Sequence, residues 1–331
     1  MASNITLSFM SDLAIRSAVA RERAPDLGRR PAPNSAPRRY PQPVAIIQLL
    51  KPITWFPPMW AFVCGVASSG AALERSWPLA LAGAVLAGPA LCGASQAIND
   101  WFDRHVDAIN EPDRPIPSGR VPGRWGMAIA VLWSALALGL AIVLGPAVAA
   151  AAALGLCLAW AYSAPPFRLK AQGWWGLASV ALCYEGLAWF TGAAATLHAM
   201  PGPRVIVLAG FYSFGAMGIM VLNDFKAIEG DRQMGVRTLQ AEMGVENAAW
   251  LACVLMAAPQ LDVIALLAVW GRPAAAIAVT VALAAQFVLM THFIRDPMRR
   301  AVSFSGLGVA LYVVGMMISG LALGGLSVVG T

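Results

Sequence analysis

Acidic side chains repeat at helical spacing in the segment that runs from residue 99 to residue 107. Asn99, Asp103 and Asp107 follow one another at intervals of four, and Asp100 lies seven residues before Asp107. On a helix this spacing places the four side chains on one broad face. Like charges so close together repel, more strongly near a membrane, which favours a cation between them. Carboxylate and amide oxygens suit Mg²⁺, which also bridges the phosphates of substrates.

A second acidic segment repeats this arrangement further along the chain. Asn223-Asp224 matches Asn99-Asp100, and Asp231 again follows seven residues after the first aspartate. For one such segment alone, capping of a helix by Asn and Asp is an adequate explanation. Two matching segments favour two related helical bundles whose acids face a shared central cavity. The predicted Mg²⁺ ligands are Asn99, Asp100, Asp103, Asp107, Asp224 and Asp231.

Basic residues accompany both acidic segments. Arg114 follows the first segment, Lys170 ends the motif at 162–170, and Lys226 and Arg232 flank the second segment. Acids that bind Mg²⁺ beside bases that bind phosphate oxygens predict a site for a diphosphate. Each base taken alone is more typical of a charged cytoplasmic loop at a membrane surface, and only its position beside the acids is informative.

The composition places this site in a membrane protein. Of the 331 residues, 59% are hydrophobic and 12% are charged, whereas globular domains carry about 25% charged residues. These values exclude intrinsic disorder, a nucleic-acid-binding fold and a disulfide-stapled secreted domain. They predict an all-α polytopic membrane protein of about nine transmembrane helices around a central cavity. Windows of about 20 apolar residues place the spans at 53–72, 78–99, 126–144, 146–162, 175–197, 204–223, 247–268, 273–294 and 302–322.

The distribution of positive charge predicts the orientation. With a cytoplasmic amino terminus, Arg75, Arg204 and Arg272 face outward, and the other 20 of the 23 Lys and Arg residues face the cytoplasm. This asymmetry is the positive-inside pattern of an inner-membrane protein, and it places the acidic segments on the cytoplasmic side. Residues 1–45 are rich in Arg and Pro and predict a disordered basic cytoplasmic tail at the membrane surface. Residues 46–325 form the predicted intramembrane domain.

A diphosphate site beside membrane helices suggests a polyprenyl diphosphate, whose tail would lie among the spans. Loss of the diphosphate would leave an allylic carbocation, which aromatic ring faces stabilise. The candidate rings are Trp101, Phe102, Tyr162, Trp174, Trp175 and Tyr184. Glu185 is predicted in mid-membrane, where an ionisable residue is a functional candidate. It would either line an acceptor pocket or be protonated and form a hydrogen bond to a neighbouring helix.

Four motifs, in this order, resemble the UbiA-type intramembrane prenyltransferases and, among them, the chlorophyll and bacteriochlorophyll synthases. They lie at residues 50–60, 99–119, 162–170 and 223–232. Quinone-type members of the superfamily carry a carboxylate at the position of Ala227. Here the additional carboxylate is Asp224, a pattern similar to that of the pigment-synthase branch, with bacteriochlorophyll synthase favoured.

The resemblance implies a Mg²⁺-dependent transfer of a geranylgeranyl or phytyl group from its diphosphate to the 17-propionate of bacteriochlorophyllide or chlorophyllide. A propionate is ionised near neutral pH, so no general base is needed. Asp103, Asp231 and Tyr162 would then be catalytic, and the diphosphate would be bound by Arg114, Lys170, Lys226 and Arg232. The resemblance also implies a photosynthetic membrane and pigment-protein assembly partners.

Two alternatives stay open at this point. The first is a prenyltransferase of quinone or haem biosynthesis that uses an aromatic or vinyl acceptor. The second is an ion-coupled transporter whose acids bind the coupling ion. A transporter is expected to carry such acids near the bilayer midplane, whereas these acids lie at predicted helix ends.

Overall fold

The computed structural model describes residues 39–225 and 243–327, and every regular element in this part of the chain is a helix. The α-helices are α1 (Pro43–Leu49), α2 (Phe56–Ser69), α3 (Leu73–Val85), α4 (Gly93–Asn110), α5 (Trp125–Leu144), α6 (Pro146–Ser163), α7 (Trp174–Ala181), α8 (Leu187–Leu197), α9 (Pro203–Asp224), α10 (Val245–Val269), α11 (Pro273–Arg295) and α12 (Pro297–Ser327). Short 3₁₀ turns lie at Pro52–Thr54 and Leu169–Ala171. Wider π-helical turns at Leu86–Cys92 and Leu182–Gly186 join α3 to α4 and α7 to α8.

Eight helical stretches in the described part are long and apolar enough to cross a membrane. They coincide with eight of the nine predicted spans, and the predicted all-α membrane fold is confirmed. The first predicted span, at 53–72, coincides with α2, which has 14 residues. At 1.5 Å per residue α2 is about 21 Å long, less than the ~30 Å hydrocarbon core.

The second span is longer than the sequence predicts. α3, the π-helical turn and α4 form one continuous stretch from Leu73 to Asn110, although hydropathy ends the predicted span at residue 99. The extension, residues 100–110, carries all three aspartates of the first acidic motif on the helix. Backbone hydrogen bonding therefore continues past the point at which the side chains become polar.

Proline and glycine divide the third and fourth spans as the sequence predicts. Gly145 ends α5 with φ +124°, a conformation that side-chain-bearing residues avoid, and Pro146 begins α6. A proline in the first turn loses no intrahelical hydrogen bond. A two-residue boundary therefore suffices to reverse the chain, and it places α6 back beside α4 and α8.

Glycine also sets the distance between α2 and α8. A Cβ on Gly65 would overlap the carbonyl oxygen of Trp189, and a Cβ on Gly192 would overlap the carbonyl oxygen of Phe62. Small residues of this kind permit the close backbone contacts on which membrane helices rely for packing. This contact fixes one wall of the interior, because both helices contribute side chains to the cavity described below.

Candidate active site

The last turns of α4 carry the first acidic motif, and one half of that motif faces α6. The Asn99 amide Nδ2 donates a hydrogen bond to Asp103 Oδ2 at 3.0 Å and a second to Ser163 Oγ at 3.4 Å. Asn99 and Asp103 lie one helical turn apart, so the contact follows from their spacing. The amide thereby fixes the orientation of the Asp103 carboxylate.

Asp103 is paired with the cations of the loop that follows α6. Lys170 Nζ donates a hydrogen bond to Asp103 Oδ1 at 2.5 Å, and Arg168 Nη2 lies 3.9 Å from the same oxygen. Burial lowers the pKa of Lys170, and the hydrogen bond to Asp103 opposes that shift. One carboxylate and two cations therefore share a partly buried place between α4 and this loop.

The other half of the motif, Asp100 and Asp107, is bound by different cations. Lys51 Nζ donates to Asp100 Oδ1 at 2.7 Å, while Arg114 Nη1 lies 2.9 Å from Asp107 Oδ2 and 3.5 Å from Asp100 Oδ1. Asp100 is only 2% exposed. Its second oxygen, Oδ2, is buried and accepts no hydrogen bond from the described residues.

Arg114 is already engaged by carboxylates in this arrangement. Its Nε and Nη2 donate to the two oxygens of Glu111 at 2.6 and 2.8 Å. Burial lowers the pKa of Arg114, but the Glu111 hydrogen bond and the charges of Asp100 and Asp107 outweigh it, so the net shift is upward. Arg114, which the sequence predicts to bind the diphosphate, therefore contacts the acidic motif directly.

Lys51 and Arg168 belong to the site, although sequence reasoning gave neither a role. Lys51 lies 49 residues before its partner Asp100. The packing of distant segments brings the two together, since α1 contacts α4 and the turn at Pro52–Thr54 contacts the π-helical turn Leu86–Cys92. The available signal was a lone charge within the apolar motif at 50–60. For Arg168 the signal was its position two residues before Lys170 in one motif.

The second acidic segment lies largely outside the described residues. α9 ends at Asp224, whose side chain is outside that part, as are Lys226, Asp231 and Arg232. Their predicted contribution to the site stays a prediction.

A cavity of about 320 Å³ begins beside Asn99 and continues between α2, α4, α6 and the α7–α8 stretch. This volume lies at the lower end of the range for small-molecule pockets. Its walls are mainly apolar and include Leu91, Leu156 and Leu187, and Asn99 and Tyr162 are among the polar residues that line it. The cavity therefore joins a charged region to an apolar interior.

Two of the six candidate aromatic residues, Tyr162 and Tyr184, line this cavity. The Arg104 guanidinium lies 4.2 Å from the ring centroid of Trp101, and Phe102 packs edge-on against Trp160. Trp174 and Trp175 are 45% and 69% exposed. Of the six candidate rings, only those of the two tyrosines are therefore placed to stabilise a carbocation inside the cavity.

Glu185 does not line the cavity. It lies in the π-helical turn Leu182–Gly186 and is 5% exposed. Its Oε2 atom accepts no hydrogen bond from the described residues. Glu185 is therefore not part of the cavity wall, and its predicted hydrogen bond to a neighbouring helix stays a prediction.

Residues 39–225 and 243–327 contain no group of three or more His, Cys, Asp or Glu side chains close enough to hold a metal ion. The donor types nevertheless fit a hard cation, because α4 presents Asn and Asp oxygens and Asp100 Oδ2 has no partner among the described residues. Part of the predicted ligand set lies beyond residue 223. The oxygens that α4 presents are therefore donors of the type that Mg²⁺ prefers.

Sequence comparison identifies the group to which this site belongs. The profile of the UbiA prenyltransferase family matches residues 54–312, most of the chain and all of the cavity. The chain belongs to the UbiA prenyltransferase family. The predicted family resemblance is therefore confirmed.

Individual relatives narrow the assignment. The bacteriochlorophyll synthase 33 kDa chain of Cereibacter sphaeroides is 54% identical over 292 residues, which cover 88% of this chain and 97% of that protein. The chlorophyll synthase of Arabidopsis thaliana is 38% identical over 291 residues, which cover 83% of this chain and 73% of that protein. A polyprenyltransferase of the chlorophyll and bacteriochlorophyll synthase type, as predicted, is confirmed.

Solved structures share the fold at low identity. A structure of digeranylgeranylglyceryl phosphate synthase has a TM-score of 0.67 at 17% identity and covers 84% of this chain and 98% of its own. A UbiA homologue from Archaeoglobus fulgidus, bound to GPP and Mg²⁺, has a TM-score of 0.57 at 19% identity and covers 87% and 100%. The same homologue has also been solved with Cd²⁺. Metal binding therefore occurs on this fold.

Proposed function

We propose that this UbiA-family enzyme transfers a geranylgeranyl or phytyl group from its diphosphate to the 17-propionate of bacteriochlorophyllide, forming an ester and releasing diphosphate. One observation carries the proposal: Asn99, whose amide is hydrogen-bonded to the ion-paired Asp103 carboxylate, lines a mainly apolar cavity together with Tyr162. A prenyl diphosphate likewise combines a charged head group with a long apolar tail.

The head group would lie beside Asp103, where Lys170 and Arg168 provide positive charge. These cations now face a carboxylate, and phosphate oxygens accept the same charge-assisted hydrogen bonds. Lys226 and Arg232 would approach from the second acidic segment, and Arg114 from the first. Lys51 and Arg114 would in addition hold Asp100 and Asp107 in place through the ion pairs described above.

The proposed Mg²⁺ ligands are Asn99, Asp100, Asp103 and Asp107 from α4, together with Asp224 and Asp231. Bound Mg²⁺ would neutralise the charge that develops on the departing diphosphate. Asn99 orients Asp103 through their hydrogen bond at 3.0 Å. Asp103 and Asp231 would then hold, from the two acidic segments, the Mg²⁺ that binds the diphosphate.

The reaction needs no proton transfer. One propionate oxygen attacks C1 of the prenyl group, the bond between C1 and the diphosphate oxygen breaks, and the diphosphate leaves with the bonding electron pair. The cavity would exclude water from the allylic cation, and Tyr162, which lines it, would stabilise the positive charge. An aromatic acceptor would also have to lose a ring proton.

The comparisons favour bacteriochlorophyllide over chlorophyllide as the acceptor. Identity is 54% and 50% to two bacteriochlorophyll synthase chains, and 36% and 38% to the chlorophyll synthases of rice and Arabidopsis thaliana. The eight apolar helices make the chain a multi-pass membrane protein. We further propose a cytoplasmic amino terminus, a photosynthetic membrane and pigment-protein assembly partners that receive the product.

A comparison of three acceptors tests this function. Purified membranes containing the protein are supplied with Mg²⁺, geranylgeranyl diphosphate and one acceptor at a time, namely bacteriochlorophyllide a, chlorophyllide a or 4-hydroxybenzoate. We expect esterified bacteriochlorophyllide as the main product, lost when EDTA removes Mg²⁺. Prenylated 4-hydroxybenzoate without pigment ester would replace the proposed acceptor with an aromatic one.

A further inference from the structure

A hydrogen-bonded polar cluster interrupts the apolar wall of the cavity. Gln96 Nε2 donates a hydrogen bond to the Tyr184 hydroxyl at 3.2 Å, and the same hydroxyl lies 3.3 Å from Cys92 Sγ. Thr54 Oγ1 lies 3.4 Å from that sulfur. Gln96, Tyr184 and Cys92 all line the cavity. A prenyl tail has no group that these side chains could bind, so the tail does not explain them.

The cluster can donate hydrogen bonds to a ligand. Because the Tyr184 oxygen accepts the bond from Gln96, its own hydrogen is free to point elsewhere, and its present neighbour Cys92 is a weak acceptor. The Gln96 amide nitrogen carries a second hydrogen beyond the one given to Tyr184. An ionised oxygen is a stronger acceptor than a thiol. The cluster is therefore chemically suited to bind a carboxylate.

The position of the cluster fits the acceptor better than the diphosphate. Gln96 precedes Asn99 by three residues, which is about 4.5 Å along α4, and Asp103 lies about 6 Å further on. A head group at Asp103 and Lys170 would direct C1 past Asn99 toward Gln96. The attacking oxygen must approach C1 to about 3–3.5 Å, so the acceptor carboxylate has to reach this level of the cavity.

Irregular backbone brings the cluster together. Cys92 ends the π-helical turn before α4, and Tyr184 lies within the π-helical turn between α7 and α8. π-helical turns are rare and occur frequently at functional sites. Two such turns from different spans meet at one hydroxyl, which is a construction that apolar packing alone does not require.

We propose that Tyr184 and Gln96 form the subsite for the acceptor carboxylate. This inference rests on the proposed function. Both side chains donate to one propionate oxygen, while the other oxygen forms the bond to C1 and the diphosphate leaves with the electrons of the broken bond. Uncharged donors hold the carboxylate without neutralising it, so the second oxygen stays a competent nucleophile.

Kinetics of Tyr184→Phe and Gln96→Leu test the subsite. Each removes a donor, and Phe retains the aromatic ring, so stabilisation of a cation by the ring face survives in Tyr184→Phe. We expect KM for bacteriochlorophyllide to rise about 10- to 100-fold in each variant, as for lost hydrogen bonds to a charged group. KM for geranylgeranyl diphosphate should stay within about twofold of the wild-type value.

Tyr212→Phe is the matched control. It removes a buried tyrosine hydroxyl that is hydrogen-bonded to Ser319 Oγ at 2.8 Å, and Tyr212 is not among the residues that line the cavity. Both KM values should stay unchanged in this variant. An unchanged acceptor KM in Tyr184→Phe and Gln96→Leu, or equal increases in both KM values, would overturn the proposal.

Ligand binding to the wild-type protein keeps the inference testable if the variants do not fold. Free bacteriochlorophyllide and its 17-propionate methyl ester are compared as ligands in the absence of prenyl diphosphate. We expect the acid to bind at least about 10-fold more tightly, and equal binding would refute the subsite. A wild-type protein that forms no pigment ester at all would instead refute the proposed function.

Discussion

At the scale of single residues, the first acidic motif consists of two separately paired halves. Asn99 and Asp103 face Lys170, whereas Asp100 and Asp107 face Lys51 and Arg114. Spacing along the chain predicted that the four acidic and amide side chains share one helix, where Asn99 and Asp103 contact each other one turn apart, and their role as Mg²⁺ ligands stays a prediction. Spacing could not predict Lys51, because that contact depends on how distant segments pack.

Replacement of Asp103 by Asn tests the first half of the motif. The variant keeps the shape of the side chain but loses the charge that pairs with Lys170. We expect prenyl transfer to fall at least about 100-fold, since even groups that only support a metal ligand are worth about 10- to 100-fold. Asp113→Asn removes the same charge from an exposed residue of the following loop and should leave the rate within about twofold. Equal rates in the two variants would remove Asp103 from the site.

Lys51→Met tests the second half of the motif. Asp100, which is buried, would lose its hydrogen bond to the ammonium group, and we expect a loss of about 1–3 kcal/mol in stability. The measurement is reversible unfolding in detergent micelles. Adding Asp100→Asn should restore more than half of the loss, because the uncompensated charge is then absent. Simple additivity of the two effects would show that the pair is not coupled.

At the scale of elements, the long spans were predictable and their irregular turns were not. Hydropathy located α5, α6, α9, α10 and α11 within a few residues of their observed bounds. It placed the end of the second span too early, because the helix continues through polar residues to Asn110. The two π-helical turns leave no hydropathy signal, since one extra residue per turn changes geometry and not composition.

The close packing of α2 against α8 leads to a prediction for Gly65→Ala. The added methyl group would overlap the Trp189 carbonyl oxygen and push the two helices apart. We expect a destabilisation of about 1–3 kcal/mol, the usual effect of overpacking, and a lower activity because both helices line the cavity. Gly139→Ala is the control, since its methyl group meets nothing within 4 Å. Equal melting temperatures for the two variants would contradict the packing.

At the scale of the whole molecule, charge asymmetry and the helix order predict the orientation. Ser118 lies in the loop between α4 and α5, and Met200 lies in the loop between α8 and α9, and both are exposed. In intact spheroplasts, a membrane-impermeant maleimide should label Met200→Cys but not Ser118→Cys. Permeabilised cells should show both labels, and the unsubstituted chain serves as the background. Labelling of Ser118→Cys in intact cells would reverse the proposed orientation.

Oxygen tracing measures whether the prenyl group itself is transferred to the propionate. Bacteriochlorophyllide labelled with ¹⁸O at both 17-propionate oxygens is converted with unlabelled geranylgeranyl diphosphate and Mg²⁺. We expect an ester that retains both labelled oxygens and a diphosphate that contains none, as mass spectrometry would show. An ester with a single labelled oxygen would mean that the carboxylate was activated and attacked by a prenyl alcohol, and it would contradict direct prenyl transfer.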